Sequence, residues 1–270
     1  MFRRVIGMLG LVAWLTGAAQ ADPRFCDRPV RVALFEYGVL YRSDTGDGID
    51  PRLLEALAKR TGCQYEFVVL PRARIWTELE RGSLDLATAA IPTPERRRFG
   101  YMLPYFRTRN LALLRDAPGS PWRSMQAFEA SSGKVGVVRG FRHEAAVDEF
   151  LAHVRSQERV VESADVQENL RLLQSGIVDL VFAQPVVFRS YLGDAEMAAL
   201  RFLDWVPKDQ ESVGAFILSR KSFRPEQAQA WDQLLSKMIK DGTVGKIYGH
   251  FLPADMARES VFRGERPTDF

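Results

Sequence analysis

The chemistry-bearing residues of this chain are arginines set just after short apolar segments. Thr93-Pro94-Glu95-Arg96 has the form of a helix start, with Thr93 as N-cap, Pro94 at the first helical position and Glu95 in the first turn. Arg96 then sits beside free backbone N–H groups and the positive end of a helix dipole. Such a place holds an anion, typically a carboxylate. The other reading is that Arg96, Arg97 and Arg98 are a solvated basic face. Arg72 and Arg74 follow the apolar segment 65–70 and either face a cleft or cap and solvate the next helix. Tyr37 and Tyr41 follow the segment 30–35, where each either stacks on a ligand or packs under its own loop. No motif of covalent or metal chemistry accompanies them. His143, His153 and His250 have no metal-ligand spacing, and neither a Gly-x-Ser-x-Gly elbow nor a phosphate-cradling Gly-rich loop is present. Carboxylates are plentiful, but sequence cannot show a catalytic pair, so an enzyme is unsupported rather than excluded.

The elements that must position these arginines repeat. Strand 30–35 leads through a loop and the turn 46–51, with Asp50 as N-cap and Pro51 at the first helical position, to a helix ending at Thr61-Gly62. Strand 65–70, a helix ending at Gly82, and the short apolar strand 84–90 follow. Residues 110–114 read as extended, and the Pro- and Gly-rich stretch 116–121 as the first crossing between two lobes. The pattern restarts with strand 134–138 and the turn at Gly140. Leu173, Gly176 and Asp179 then repeat Leu79, Gly82 and Asp85 at one constant offset. Two copies of one signature argue for two similar α/β lobes. Residues 214–218 read as the second crossing, 225–240 as a helix, and 253–270 as a polar, loose tail.

The chain has 270 residues, 46% hydrophobic and 26% charged, ample for one large or two modest domains. Phe2-Arg3-Arg4, an apolar run over 5–18 and Ala19-Gln20-Ala21 have the form of a signal peptide cleaved near Ala21. The run is short for a membrane anchor, and no cysteine marks a lipid attachment. Without Arg3 and Arg4 the formal charge falls from +3 to about +1, and no basic run suggests nucleic acid. Cys26 and Cys63 precede the first two strands, whose starts are neighbours in a parallel sheet. They form a disulfide in an exported protein, or else remain two thiols.

Taken together, Leu79-x-x-Gly82-x-x-Asp85-Leu86, then Thr93-Pro94-Glu95-Arg96, then Tyr101-x-x-Pro104-Tyr105 resemble the bacterial extracellular solute-binding proteins of family 3, the polar amino-acid receptors of ABC importers. The resemblance covers nearly all of residues 30–252. It implies an α/β fold of the two-lobed periplasmic-binding-protein type (type II), with two crossing segments and the ligand cleft between lobes. The expected divisions are a signal peptide at 1–21, lobe 1 over 22–115 and 213–252, lobe 2 over 116–212, and the tail.

By the same resemblance Arg96 grips the ligand's carboxylate and Thr88 adds a hydroxyl or backbone contact. A second hydroxyl of the family falls on Ile91 and is missing. The loop that carries a hydroxyl in the second lobe is Gly140-Phe141-Arg142-His143 here, and the acid that meets an α-amino group is Gln184. The implied pocket therefore holds Arg96, with Arg72 or Arg74 and Arg139 or Arg142, and Glu36 as its one counter-acid. That set suits a ligand with more negative charge, or less need of an ammonium partner, than a standard amino acid; otherwise some arginines point outward. The implied function is a periplasmic receptor, without cofactor and monomeric, that traps a small carboxylate-bearing solute by hinge closure and delivers it to the membrane subunits of an ABC importer. The alternatives are a cyclohexadienyl-dehydratase-like enzyme on the same fold and a receptor for a membrane signalling partner.

Overall fold

The computed structural model describes residues 22, 24–115 and 122–270. The segment 1–21, where a signal peptide is expected, and the break 116–121 lie outside them. Among the described residues no helix is long and apolar enough to cross a membrane.

The chain makes two lobes, each built on a five-stranded sheet. The first begins with β1 (Val30–Leu34), α1 (Ile49–Thr61), β2 (Tyr65–Val69), α2 (Arg72–Arg81), β3 (Leu86–Ala90), α3 (Pro94–Arg97) and β4 (Gly100–Thr108). The second contains β5 (Leu111–Arg115), α4 (Met125–Glu129), β6 (Val135–Val138), α5 (Ala145–Ser156), β7 (Val160–Ser163), α6 (Val166–Gln174), β8 (Leu180–Ala183), α7 (Pro185–Phe188), α8 (Asp194–Ala198) and β9 (Leu200–Leu203). The chain returns through β10 (Ser212–Ser219), then α9 (Pro225–Lys240), α10 (Thr243–Phe251) and α11 (Ala254–Ser260). The strand orders are β2-β1-β3-β10-β4 and β7-β6-β8-β5-β9, the same arrangement twice. β3 and β8 are buried along their whole length, as their unbroken apolar runs require.

Pairing corrects both expected crossings. β5 hydrogen-bonds to β8 and β9, so the chain has already left the first lobe at Arg109-Asn110, before the Pro- and Gly-rich break. β10 pairs with β3 and β4, so the return runs through 204–211. Chain chemistry marked a flexible stretch, but pairing partners decide lobe membership. One carboxylate ties the two crossings together. Buried Glu144 accepts from Asn110 N (3.0 Å), Asn110 Nδ2 (2.8 Å) and Ser212 Oγ (3.0 Å).

The repeated Gly-x-x-Asp signature is structural. Gly82 and Gly176 both end helix segments with φ near +80°, a conformation glycine adopts freely. Asp85 Oδ2 accepts from Arg31 N at 2.8 Å, and Asp179 Oδ2 from Lys134 N at 2.9 Å. Each aspartate thus pins the start of the neighbouring parallel strand. Burial pushes the Asp85 carboxyl up, but hydrogen bonds from Arg28, Arg31 and Ser222 hold it well below the usual carboxylate range.

Two further expectations change, and the expected disulfide is present. Helix α1 starts at Ile49 with Gly48 at the cap, so Asp50 lies inside its first turn and points into the core. The segment 253–270 is not loose. It forms α11, Val261 bridges to Phe106, Arg266 binds Asp232, and Asp269 pairs with Arg97 at 3.0 Å. Polar composition hid this because its polar groups are spent on partners in the first lobe. Cys26 and Cys63 are joined in a disulfide that ties the approach to β1 to the approach to β2.

Candidate functional site

The carboxyl ends of β1, β2 and β3 in one lobe meet those of β6 and β8 in the other, the usual ligand position in such sheets. Arg72, the first residue of α2, is buried at 5% exposure. Its guanidinium lies 3.9 Å from the Phe35 ring centroid and 4.2 Å from that of Trp76. It donates to the Thr88 carbonyl at 3.0 Å and to the Ala89 carbonyl. Ala89 has φ of +48°, a costly value for a residue with a Cβ. The β3–β10 register shifts beside it, between Ala215 and Ile217. Strained backbone and a bulge at this strand end are the features that aim carbonyls into a site.

Arg96 is equally buried. Thr93 Oγ1 accepts from its backbone N–H at 3.2 Å, which is the cap read from sequence. Its guanidinium donates to the Ile91 carbonyl (2.9 Å) and, across the seam, to the Gly140 carbonyl (3.1 Å). It also stacks 3.8 Å from the Trp76 centroid. One indole therefore serves two guanidiniums, and its N–H donates to the same Gly140 carbonyl at 2.9 Å. Burial, and then the neighbouring Arg142, lowers Arg96 to about 9; burial, and then Arg96, lowers Arg72 well below the arginine range. Arginine does not readily give up its proton. Both guanidiniums therefore stay charged while withdrawn from water.

Aromatic rings close the site. Tyr37 stacks on Phe35 at 4.8 Å and meets Phe141 edge-on at 5.3 Å. Tyr37, Phe141, Arg142 and Gln184 line both of the small spaces that remain between the lobes, about 10 and about 20 Å³. Gln184 is 6% exposed, and its Oε1 accepts no hydrogen bond. Thr88 is fully buried in β3; its carbonyl serves Arg72 while its hydroxyl faces the Asp50 carboxyl.

Other expected residues sit elsewhere. Arg74 points outward and pairs with Glu78, because it is two positions from Arg72 on a helix and so on another face. Arg139 is exposed on Glu162. Arg142, by contrast, borders the enclosed spaces, though it is half-exposed and reaches Glu95 at 3.3 Å. Glu36 is no counter-acid in the cleft. Its carboxylate accepts from the Tyr191 hydroxyl of the other lobe at 2.7 Å and from Ser43. Tyr41 is buried under its loop. Phe35 and Trp76 were not singled out, though both were legible. Trp76 lies four residues from Arg72, one helical turn, and Phe35 lies two before Tyr37, just past the end of β1.

Beside the enclosed spaces, and sharing Arg96, Phe141 and Arg142 with them, runs an open groove of about 600 Å³. Thr77, Glu80 and Glu95 form one wall, and Arg139, Ala152 and Arg155 the other. Among the described residues no cluster of metal ligands occurs.

The family model of bacterial extracellular solute-binding proteins, family 3, matches residues 33–254. The chain belongs to this family. Among its relatives is the probable histidine-binding protein of Neisseria gonorrhoeae, 22% identical over 207 residues, covering 76% of this chain and 74% of that one. Similar solved structures include an ancestral arginine-binding protein bound to arginine, with TM-score 0.69, 22% identity and 83% of this chain covered against 98% of that one. A histidine kinase sensor domain similar to periplasmic binding proteins gives TM-score 0.70, 18% identity, and 86% and 98% coverage. At these identities the solved structures speak for the fold alone, which is the two-lobed α/β one.

Proposed function

We propose that this protein is a periplasmic receptor that traps a small carboxylate-bearing polar solute between its lobes and delivers it to an ABC importer. One observation carries the reading. Arg72 and Arg96 are both buried on a single indole at the seam, and neither has an acid partner. Buried like charges are costly unless an anion joins them, and a carboxylate suits the planar guanidinium fork. The arginine and histidine in the names of its relatives are carboxylate-bearing solutes of this size. Export with cleavage near Ala21 fits the disulfide and the extracellular family, and the protein works as a monomer. Arg72, Arg96, Thr88, Tyr37, Phe141, Arg142 and Gln184 form the binding set, with Glu36, Arg74 and Arg139 outside it.

A thermal-shift screen against amino acids, hydroxy and keto acids, dicarboxylates and amines tests this. A ligand at about 100 times its dissociation constant stabilises by about 2.7 kcal/mol, several degrees for a chain of this size. A shift confined to carboxylates, with uptake of that acid lost on gene deletion, is the expected result. A shift with unchanged uptake would overturn importer delivery in favour of a sensor role.

A further inference from the structure

We infer that the carboxylate this cleft takes carries a neutral hydroxyl, rather than an ammonium, next to its acid group, and that Gln184 makes the selection. The inference rests on the receptor reading above. Three guanidiniums, of Arg72, Arg96 and Arg142, line the two enclosed spaces, and no carboxylate lines either of them among the described residues.

Every nearby acid is engaged elsewhere. Glu36 accepts from Tyr191 and Ser43, Glu95 pairs with Arg142, and Asp148 accepts from His143 N. Glu144 is enclosed by Asn110 and Ser212. Asp50 lies behind the Tyr105 hydroxyl, away from both spaces. An ammonium entering here would lose its water, meet like charge on the guanidinium side and find no opposite charge on the other.

Gln184 is the buried amide that borders both spaces. Its Oε1 is an acceptor without a donor. A neutral hydroxyl supplies that donor without bringing a second cation. An orphaned buried acceptor also discriminates sharply, since a ligand lacking the donor leaves it unpaired.

The test uses matched ligands on one carbon skeleton, titrated calorimetrically into the purified protein: lactate against alanine, and 2-hydroxyglutarate against glutamate. The hydroxy acid should bind more tightly than its amino counterpart by about tenfold or more. Gln184→Asp should reverse that order, and Gln184→Met, which keeps volume but removes the acceptor, should erase the preference. Circular dichroism melts verify that each variant is folded. An amino acid binding more tightly than its hydroxy partner to the unaltered protein overturns the inference and leaves the receptor reading standing. An unchanged order in a folded Gln184→Asp removes Gln184 from the selection. No binding by any carboxylate overturns both readings together.

Discussion

Arg96 is where the residue-scale energetics depart most from sequence expectation. An exposed cleft charge would contribute little to stability, but this guanidinium is buried and bonded to two carbonyls. Hydrogen bonds to a charged group are worth roughly 1.5–3 kcal/mol each. Arg96→Ala should therefore weaken carboxylate binding about 100-fold or more. Its effect on the melting temperature should be small, because the same change removes a buried cation without an acid partner. Calorimetry and thermal melts of the variant check both, and a large loss of melting temperature with retained affinity would make Arg96 structural. Asp50 predicts a pH effect. Its buried carboxyl is pushed up to about 6 by desolvation, against hydrogen bonding from the Thr88 hydroxyl and from the Tyr105 hydroxyl (2.5 Å), while the free group titrates near 4. Between these values the native state holds more protons than the unfolded chain, so stability falls as pH rises from about 4 to about 6. Denaturation midpoints across that range should show the decline, and Asp50→Asn should flatten it.

Elements were more legible than residues. Apolar period, caps and helix-ending glycines located the elements from β1 to the start of α3, and later β5, β6, β10 and α9, because burial and backbone chemistry are local signals; β4, β9, α4, α7, α8 and α11 are not among them. Thr93-Pro94-Glu95-Arg96 is read correctly down to its cap bond. What failed was set by partners distant in sequence. β5 belongs to the second sheet only through β8 and β9, and the last segment packs only because Asp232 and Arg97 await it. Likewise, the choice of Arg72 over Arg74 is made by tertiary packing of one helix face. The disulfide was legible from the parallel order of β1 and β2. It lies before the amino ends of those strands, whereas the site lies at their carboxyl ends. In the chain-entropy account its closed loop is worth about 3–4 kcal/mol. Reduction should lower the melting temperature by several degrees and leave ligand affinity unchanged; equal loss of both would tie the disulfide to the site.

At the scale of the molecule, the lobes meet through backbone as much as through side chains. Gly140 accepts from both Trp76 and Arg96. Its φ is +81°, and an added Cβ would lie 2.8 Å from Ala73 Cα. Gly38, on the other lobe, donates its N–H to the Tyr191 hydroxyl at 2.7 Å, and a Cβ there would lie 2.9 Å from the Val187 carbonyl oxygen. Gly140→Ala should hold the lobes apart. The expected readout is a larger radius of gyration in saturating ligand and affinity weakened by about tenfold or more, since strain at such a position costs about 1–3 kcal/mol. Small-angle scattering with titration checks it, and unchanged compactness would mean that this contact does not govern closure.

The open groove along the seam has a practical use. Its two walls belong to different lobes, with Glu80 on one and Arg155 on the other. Any relative rotation of the lobes changes the spacing of these two positions. A donor and acceptor dye placed there would turn occupancy of the sealed site into a colour change, without touching a residue that lines it.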